Sequence, residues 1–219
     1  MQIDFTGKVY LITGGASGIG AAVAHYLANH GSKAIIADLN DEAGSALAAL
    51  YPGQLEYIQT DVTDFEALKK ACDLAASKFG RLDGSVNSAG IGSLGNTVDI
   101  PIEEWHNVIN IDLNGVFYAC RAAIPLMRKS GGGSIVNIAS LSGVRADHGF
   151  AAYNAAKAAV INYTRTLGLD HAAENIRANA VCPGYIETPL TAIAASIEAV
   201  NSEWLNRIPL GRAGSAEEI

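Results

Sequence analysis

The 219-residue sequence predicts an α/β fold, a single doubly wound parallel sheet with helices on both faces. Two observations carry that prediction. Short apolar or β-branched runs alternate along the chain with longer stretches whose apolar residues recur at helical spacing, and such alternation implies parallel βαβ units. The first run is followed by a glycine cluster, Gly14-Gly15-Ala16-Ser17-Gly18-Ile19-Gly20, which reads as the tight turn between a strand and a helix.

The elements follow in order. Val9 to Thr13 is the first strand and the Ala-rich stretch Ala21 to Asn29 the first helix. Ala34 to Ala37 and Leu55 to Gln59 are strands, with a helix over Glu42 to Leu50 between them. Phe65 to Phe79 is a helix leading to a strand over Gly84 to Asn87. Glu103 to Met127 reads as one long helical segment, Ser134 to Ala139 as a strand, Ala151 to Glu174 as a second long helix and Ile176 to Val181 as the sixth strand. No Pro/Ser linker or charge run divides the series, so residues 1–219 read as one domain. Beyond Pro183-Gly184 the pattern changes: Thr191 to Val200 is small and apolar, and Ile208 to Arg212 is irregular. Ser215 and Glu218 form a capping-box signature, so a helix begins where the sequence stops, and the C-terminus reads as cut or unusually short.

Composition excludes several classes of function. With 49% hydrophobic and 17% charged residues, the chain is too rich in core formers to be disordered. A net charge of -7, with no basic cluster denser than Lys69-Lys70 or Arg128-Lys129, argues against a nucleic-acid partner. No apolar run approaches the roughly 20 residues of a membrane helix, and Met1 to Phe5 lacks a basic leader, so a cytoplasmic protein is expected. Cys72, Cys120 and Cys182 are scattered and read as buried thiols, and neither they nor His25, His30, His106 and His171 have metal-ligand spacing.

Candidate site residues cluster at strand ends. A glycine turn before a helix presents backbone N–H groups and the positive helix end, which suit a pyrophosphate, although glycine clusters also serve as plain turns. Gly14, Gly18 and Gly20 supply it, in the spacing G-x-x-x-G-x-G. Asp38 ends the second strand, where an acidic residue can bond ribose hydroxyls and repel a 2′-phosphate; its other reading is a cap or turn in Asp38-Leu39-Asn40-Asp41. Asn87-Ser88-Ala89-Gly90 follows the fourth strand. Tyr153 and Lys157 stand one helical turn apart, so the ammonium favours the phenolate, unless the two are an ordinary surface pair. Ser140, after the fifth strand, can present a hydroxyl to the same cleft.

Taken in order, Thr13-Gly14-x-x-x-Gly18-x-Gly20, Asp61-Val62, Asn87-x-Ala89-Gly90, Ser140, Tyr153-x-x-x-Lys157 and Pro183-Gly184-x-x-Thr188 resemble the short-chain dehydrogenase/reductase family over the whole chain. The resemblance implies a Rossmann sheet and a nicotinamide cofactor. It implies Tyr153 as general acid/base, Lys157 lowering its pKa and binding the nicotinamide ribose, and Ser140 holding the substrate oxygen. Gly14, Ser17, Gly18, Ile19 and Gly20 would hold the pyrophosphate end, Asp38 and Leu39 the adenosine ribose, and Asp61 and Val62 the adenine. Asn87, Ala89 and Gly90 would back the nicotinamide ribose, with Pro183, Ile186 and Thr188 at the carboxamide.

Three departures accompany the resemblance. Ser88 replaces the second Asn of the family's Asn-Asn-Ala-Gly. Asp112 falls where an Asn usually extends the catalytic set into a proton relay, and an Asp there is anionic unless buried. The complete helix and final edge strand that usually follow Gly211-Arg212-x-Gly214 are missing. The expectation is an NAD(H)-dependent enzyme interconverting a small secondary alcohol and a ketone. NAD is favoured over NADP by acidic Asp38 and by the lack of a basic side chain at Ala16-Ser17. The alternative is a catalytically weak NAD-binding regulatory protein. Gly92 to Thr97, Arg145 to His148, Tyr185 and Thr191 to Trp204 are expected to line the substrate side. The family also implies a homodimer or homotetramer, for which Ala122-Ala123, Ala155-Ala156 and Ala158-Ala159 offer small-residue faces on the long helices.

Overall fold

The computed structural model describes residues 4–219, and for Ile193, Ala194 and Ala199 the backbone alone. Met1 to Ile3, read above for a leader, lie outside them. The strands are β1 (Val9–Thr13), β2 (Lys33–Asp38), β3 (Leu55–Gln59), β4 (Gly84–Asn87), β5 (Gly133–Ile138) and β6 (Ile176–Val181). They form one parallel sheet in the order β3-β2-β1-β4-β5-β6, so the chain reverses its direction of travel between β1 and β4. The crossover helices are α1 (Gly18–Asn29), α2 (Asp41–Ala49), α3 (Phe65–Phe79), α4 (Ile102–Ile109), α5 (Gly115–Lys129), the short α6 (Ser142–Arg145) and α7 (Ala151–His171).

Local chemistry explains the boundaries. The Asn40 side chain accepts the Ala43 N–H at 3.0 Å to cap α2, and Asp64 accepts the Glu66 N–H at 2.8 Å to cap α3. Gly80, in the left-handed region at φ +78°, ends α3. Adjacent residues of each strand feed opposite faces, as a period of two demands. Leu11 and Ile35 pack with Leu68, Met127, Ile135 and Val160 under α3, α5 and α7. Ile12 and Ile36 pack with Ala24, Leu27 and Leu47 under α1 and α2.

Two expectations are corrected. The predicted single helix over Glu103 to Met127 is α4 and α5 joined by a π-helical turn, Asn110–Asn114, in which Asp112 is fully buried. The small-residue faces are largely spent inside the chain: Ala122, Ala123 and Ala156 are core residues, which leaves Ala155 and Ala158 exposed. Past β6, α8 (Pro189–Ala195) and α9 (Glu198–Asn206) occupy most of the apolar stretch. The capping box at Ser215 forms as expected, on a 3-10 turn over Ala216–Glu218 packed near α1.

Candidate active site

All six strands deliver their C-terminal ends to one cleft of about 1000 Å³. Backbone hydrogen bonds extend the sheet into its walls: Gly14 N–H donates to Ala37 O at 2.9 Å, Thr60 N–H to Asp38 O at 2.8 Å, and Leu141 N–H to Pro183 O at 2.9 Å. The point where the chain direction reverses, between β1 and β4, is where open α/β sheets leave a crevice.

One end is built by the glycine turn. Gly14, at φ +64°, lies so close to the β4 loop that a Cβ would stand 2.7 Å from Ala89 Cα. At Gly20 a Cβ would stand 2.1 Å from Gly14 O, so only glycine lets the helix start here. Ser17 precedes α1 without capping it through its side chain, and no acidic residue sits in the first turn, so the positive helix end faces the cleft unneutralised. Asp38 lies across this turn. Its Oδ2 accepts the Ala16 N–H and its Oδ1 the Asn40 N–H, both at 3.0 Å. Asn40, not Asp38, caps α2. Asp61 Oδ1 accepts from the N–H and hydroxyl of Thr63, and Val62 packs beside it.

At the other end β5 and α7 converge. Ser140 Oγ accepts the Ser142 N–H at 3.1 Å, which leaves its own hydrogen for the cleft. Tyr153 and Lys157 both line the cleft, with Lys157 Nζ 5.5 Å from the Tyr153 ring centre. The ammonium is buried, donates to Ile138 O at 3.2 Å, and lies 3.2 Å from Asp112 Oδ2 in a charge contact without hydrogen-bond alignment. Asp112 Oδ1 accepts the Ile91 N–H at 2.8 Å. Burial drives the Asp112 carboxyl above the usual carboxylate range, against the pull of Lys157 and the Ile91 N–H.

Of the predicted residues, Gly14, Ser17, Gly18, Ile19, Asp38, Leu39, Asp61, Val62, Ala89, Gly90, Ser140, Tyr153, Lys157, Pro183, Ile186 and Thr188 line the cleft. Gly20 and Asp112 stand just behind its wall. Asn87 is a correction. Its side chain is turned into the core, where Oδ1 accepts from Ser85 Oγ at 2.6 Å and Nδ2 donates to Asn137 Oδ1 at 2.7 Å. Cys182 is another, being partly exposed while Cys72 and Cys120 are buried with thiols pushed up to about 12.

On the expected substrate side, Gly92, Ser93, Leu94, Arg145, Asp147, Tyr185, Thr191 and Trp204 line the cleft, whereas Gly95 to Thr97, Ala146 and His148 do not. Ile193, Ala194 and Ala199 of that stretch lie outside the described side chains. Sequence reasoning missed Glu104, Phe150, Arg207, Ile208 and Pro209. Trp204 packs against Tyr185 at 4.9 Å and Phe150 at 6.2 Å between ring centres, and Arg207 pairs with Asp147 at 3.5 Å across the cleft mouth. Nothing in the local sequence marks Arg207, Ile208 and Pro209, because the segment after α9 reaches the cleft only by folding back over it.

A doubly wound sheet with a dinucleotide-sized crevice at its strand ends defines a class, the Rossmann-type α/β proteins. Comparison with known proteins narrows it. A family model described as enoyl-(acyl carrier protein) reductase matches residues 14–219. The chain is 41% identical over 216 residues to 3-oxoacyl-(acyl-carrier-protein) reductase FabG of Thermotoga maritima, covering 97% of this chain and 87% of that protein. It is 40% identical over 221 residues to trans-4-hydroxycyclohexanecarboxylate dehydrogenase of Sinomonas cyclohexanicum, covering 97% and 82%. A short-chain type dehydrogenase/reductase from Mycobacterium ulcerans superposes with a TM-score of 0.92 at 31% identity, over 99% of this chain and 81% of that one. The chain therefore belongs to the short-chain dehydrogenase/reductase family, whose members are oxidoreductases that use a nicotinamide cofactor.

Proposed function

We propose that the protein is an NAD(H)-dependent oxidoreductase that interconverts a secondary alcohol and a ketone, with residues 1–219 acting as one catalytic domain. The observation that carries the reading is the convergence of Ser140, Tyr153 and Lys157 on one end of a cleft whose other end holds the glycine turn and Asp38. The cleft suits a dinucleotide. The uncapped end of α1, with no acid in its first turn, suits a pyrophosphate, and the Asp38 carboxylate stands where ribose hydroxyls need acceptors. Asp38 and the lack of a cationic side chain in residues 14–20 favour NAD over NADP.

When bound, the nicotinamide supplies the hydride acceptor or donor. This chain's residues manage the proton and the oxygen. Tyr153 takes the hydroxyl proton at Oη during oxidation and returns it during reduction. Lys157, close to the phenol ring, stabilises negative charge there. Ser140, its Oγ already accepting from Ser142, donates its hydrogen to the substrate oxygen and holds it as charge develops. The aromatic wall of Phe150, Tyr185 and Trp204 favours an uncharged, ring-sized substrate. No observation favours the regulatory alternative.

The test is a panel of cyclohexanols, acyclic secondary alcohols and a 3-oxoacyl thioester, each followed by reduced-cofactor absorbance with NAD(H) and NADP(H). Turnover of secondary alcohols with NAD supports the reading, and absence of turnover on every substrate rejects it. No described helix is long and apolar enough to cross a membrane. A homodimer or homotetramer through α5 and α7 is part of the proposal. Phe117 and Leu169 remain exposed on those helices, and sedimentation tests it.

A further inference from the structure

Asp112 is a carboxylate in a place where the chemistry asks for none. It is fully buried, sits in the single π-helical turn among the described residues, and approaches the one lysine at the catalytic end of the cleft. Lys157 lines the cleft, and the backbone of Gly90 stands beside the pair at its wall. The Cβ that Gly90 lacks would stand 3.1 Å from Asp112 Oδ2 and 3.2 Å from Lys157 Nζ. Lys157, from α7, is the charged side chain that acts on Asp112, the β4 loop contributes the Ile91 N–H, and Tyr153 is the other titratable group at the lysine.

An oxidised nicotinamide ring carries a positive charge and a reduced ring none. A lone buried ammonium beside the ring repels the oxidised form; an ammonium paired with a carboxylate does so far less. We propose that Asp112 is a positioning residue that balances the charge of Lys157, so that the cleft prefers the oxidised cofactor to the reduced one. The overall equilibrium of the reaction is unchanged. The effect is on loading: from a mixed pool the protein takes up the form that is ready for alcohol oxidation. The inference rests on the proposed nicotinamide reading, and it gives the two directions of that reaction an asymmetry that Ser140, Tyr153 and Lys157 alone do not.

The experiment measures equilibrium affinities without substrate. Dissociation constants for NAD+ and NADH are obtained by fluorescence and calorimetry in Tyr153→Phe and in Tyr153→Phe/Asp112→Asn, two proteins that differ only at Asp112. Measurements run from about pH 6 to about pH 8.5. The ratio cancels contacts made equally by both forms. At the upper pH, Tyr153→Phe is expected to favour NAD+ over NADH by about tenfold more than the double variant. Because burial raises the Asp112 titration, any loss of that advantage falls on the acid side, while the double variant stays flat. Equal ratios in the two proteins at the upper pH, with both forms bound, overturn the inference and leave the nicotinamide reading intact. If neither form of NAD or NADP binds the native protein, both fail. Should the double variant not fold, Asp112→Asn alone is compared with the native protein at the upper pH, equal ratios overturning the proposal.

Discussion

The carboxylate of Asp38 is fastened to the glycine turn: its Oδ2 accepts the Ala16 N–H at 3.0 Å, so the end of β2 and the start of α1 are held in register through one side chain. Asp38 thus has a local duty besides its proposed one toward a ribose.

Replacing Asp38 by Ala together with Leu39 by Arg is expected to shift preference from NAD towards NADP by at least about tenfold in relative affinity, as phosphate repulsion gives way to a cation. Paired binding titrations check this. A native protein that already binds NADP more tightly than NAD contradicts the cofactor proposal.

Tyr153→Phe keeps the ring and its contact with Lys157 and removes only the hydroxyl. Turnover should fall by roughly 100-fold or more, the scale of lost general acid/base catalysis, while NAD affinity stays within a few-fold. Steady-state rates beside equilibrium binding separate the two.

Lys157→Met leaves Asp112 buried without a countercharge, with the Ile91 N–H as its remaining partner. The loss of stability near neutral pH should be about 3–5 kcal/mol, since Lys157 and Asp112 are nearly or wholly inaccessible and solvent screens them little. The sign with pH is definite. Asp112 titrates above its unfolded range, so the folded variant holds a proton that the unfolded chain releases. Its stability is greatest below the unfolded carboxylate pKa and is lost as pH rises through the raised folded value. Urea denaturation at several pH values reads this.

Asn87→Ala should behave as a core lesion. It orphans Ser85 and Asn137 in a buried chain of hydrogen bonds that continues from Asn137 Nδ2 to Thr164 Oγ1 at 2.9 Å. A cost of about 2–4 kcal/mol is expected, with cofactor affinity nearly unchanged in the folded fraction. Large loss of NAD binding in a fully stable variant would return Asn87 to the cofactor wall.

The strands were readable because each is a short run that must satisfy two faces at once, and Leu11-Ile12 and Ile35-Ile36 display that demand in neighbouring letters. The glycine turn is readable for a similar reason at Gly20, which answers a contact with Gly14 inside the same βα unit, whereas Gly14 answers the β4 loop at Ala89. The π-helical turn was not. An extra residue per turn at Asn110–Asn114 barely disturbs an apolar pattern that continues into α5. Asp112 is an odd letter in the sequence, but its partner lies on α7, and only the fold brings them to 3.2 Å. Asn87 is hard to place from sequence because the loop after it, Ser88 to Gly90, lines the cleft while its own side chain, the last of β4, stays in the core. Arg207 and Pro209 reach the cleft by a return of the chain that no local spacing encodes.

The sheet order carries an evolutionary corollary. The ends of β1, β2 and β3 furnish the proposed dinucleotide end of the cleft, and those of β4, β5 and β6 the reacting end; β1 and β4 touch in space while the whole of β2 and β3 lies between them in sequence. The two halves are contiguous tracts of the chain that meet where β1 pairs with β4, where α3 packs on α5 and where the turn at Ala216–Glu218 returns to α1. Variation can reshape the rim formed by Tyr185, Trp204 and Arg207 without disturbing the tract that carries Gly14 and Asp38. A lineage built on this plan can diversify what it acts on while keeping the same redox currency.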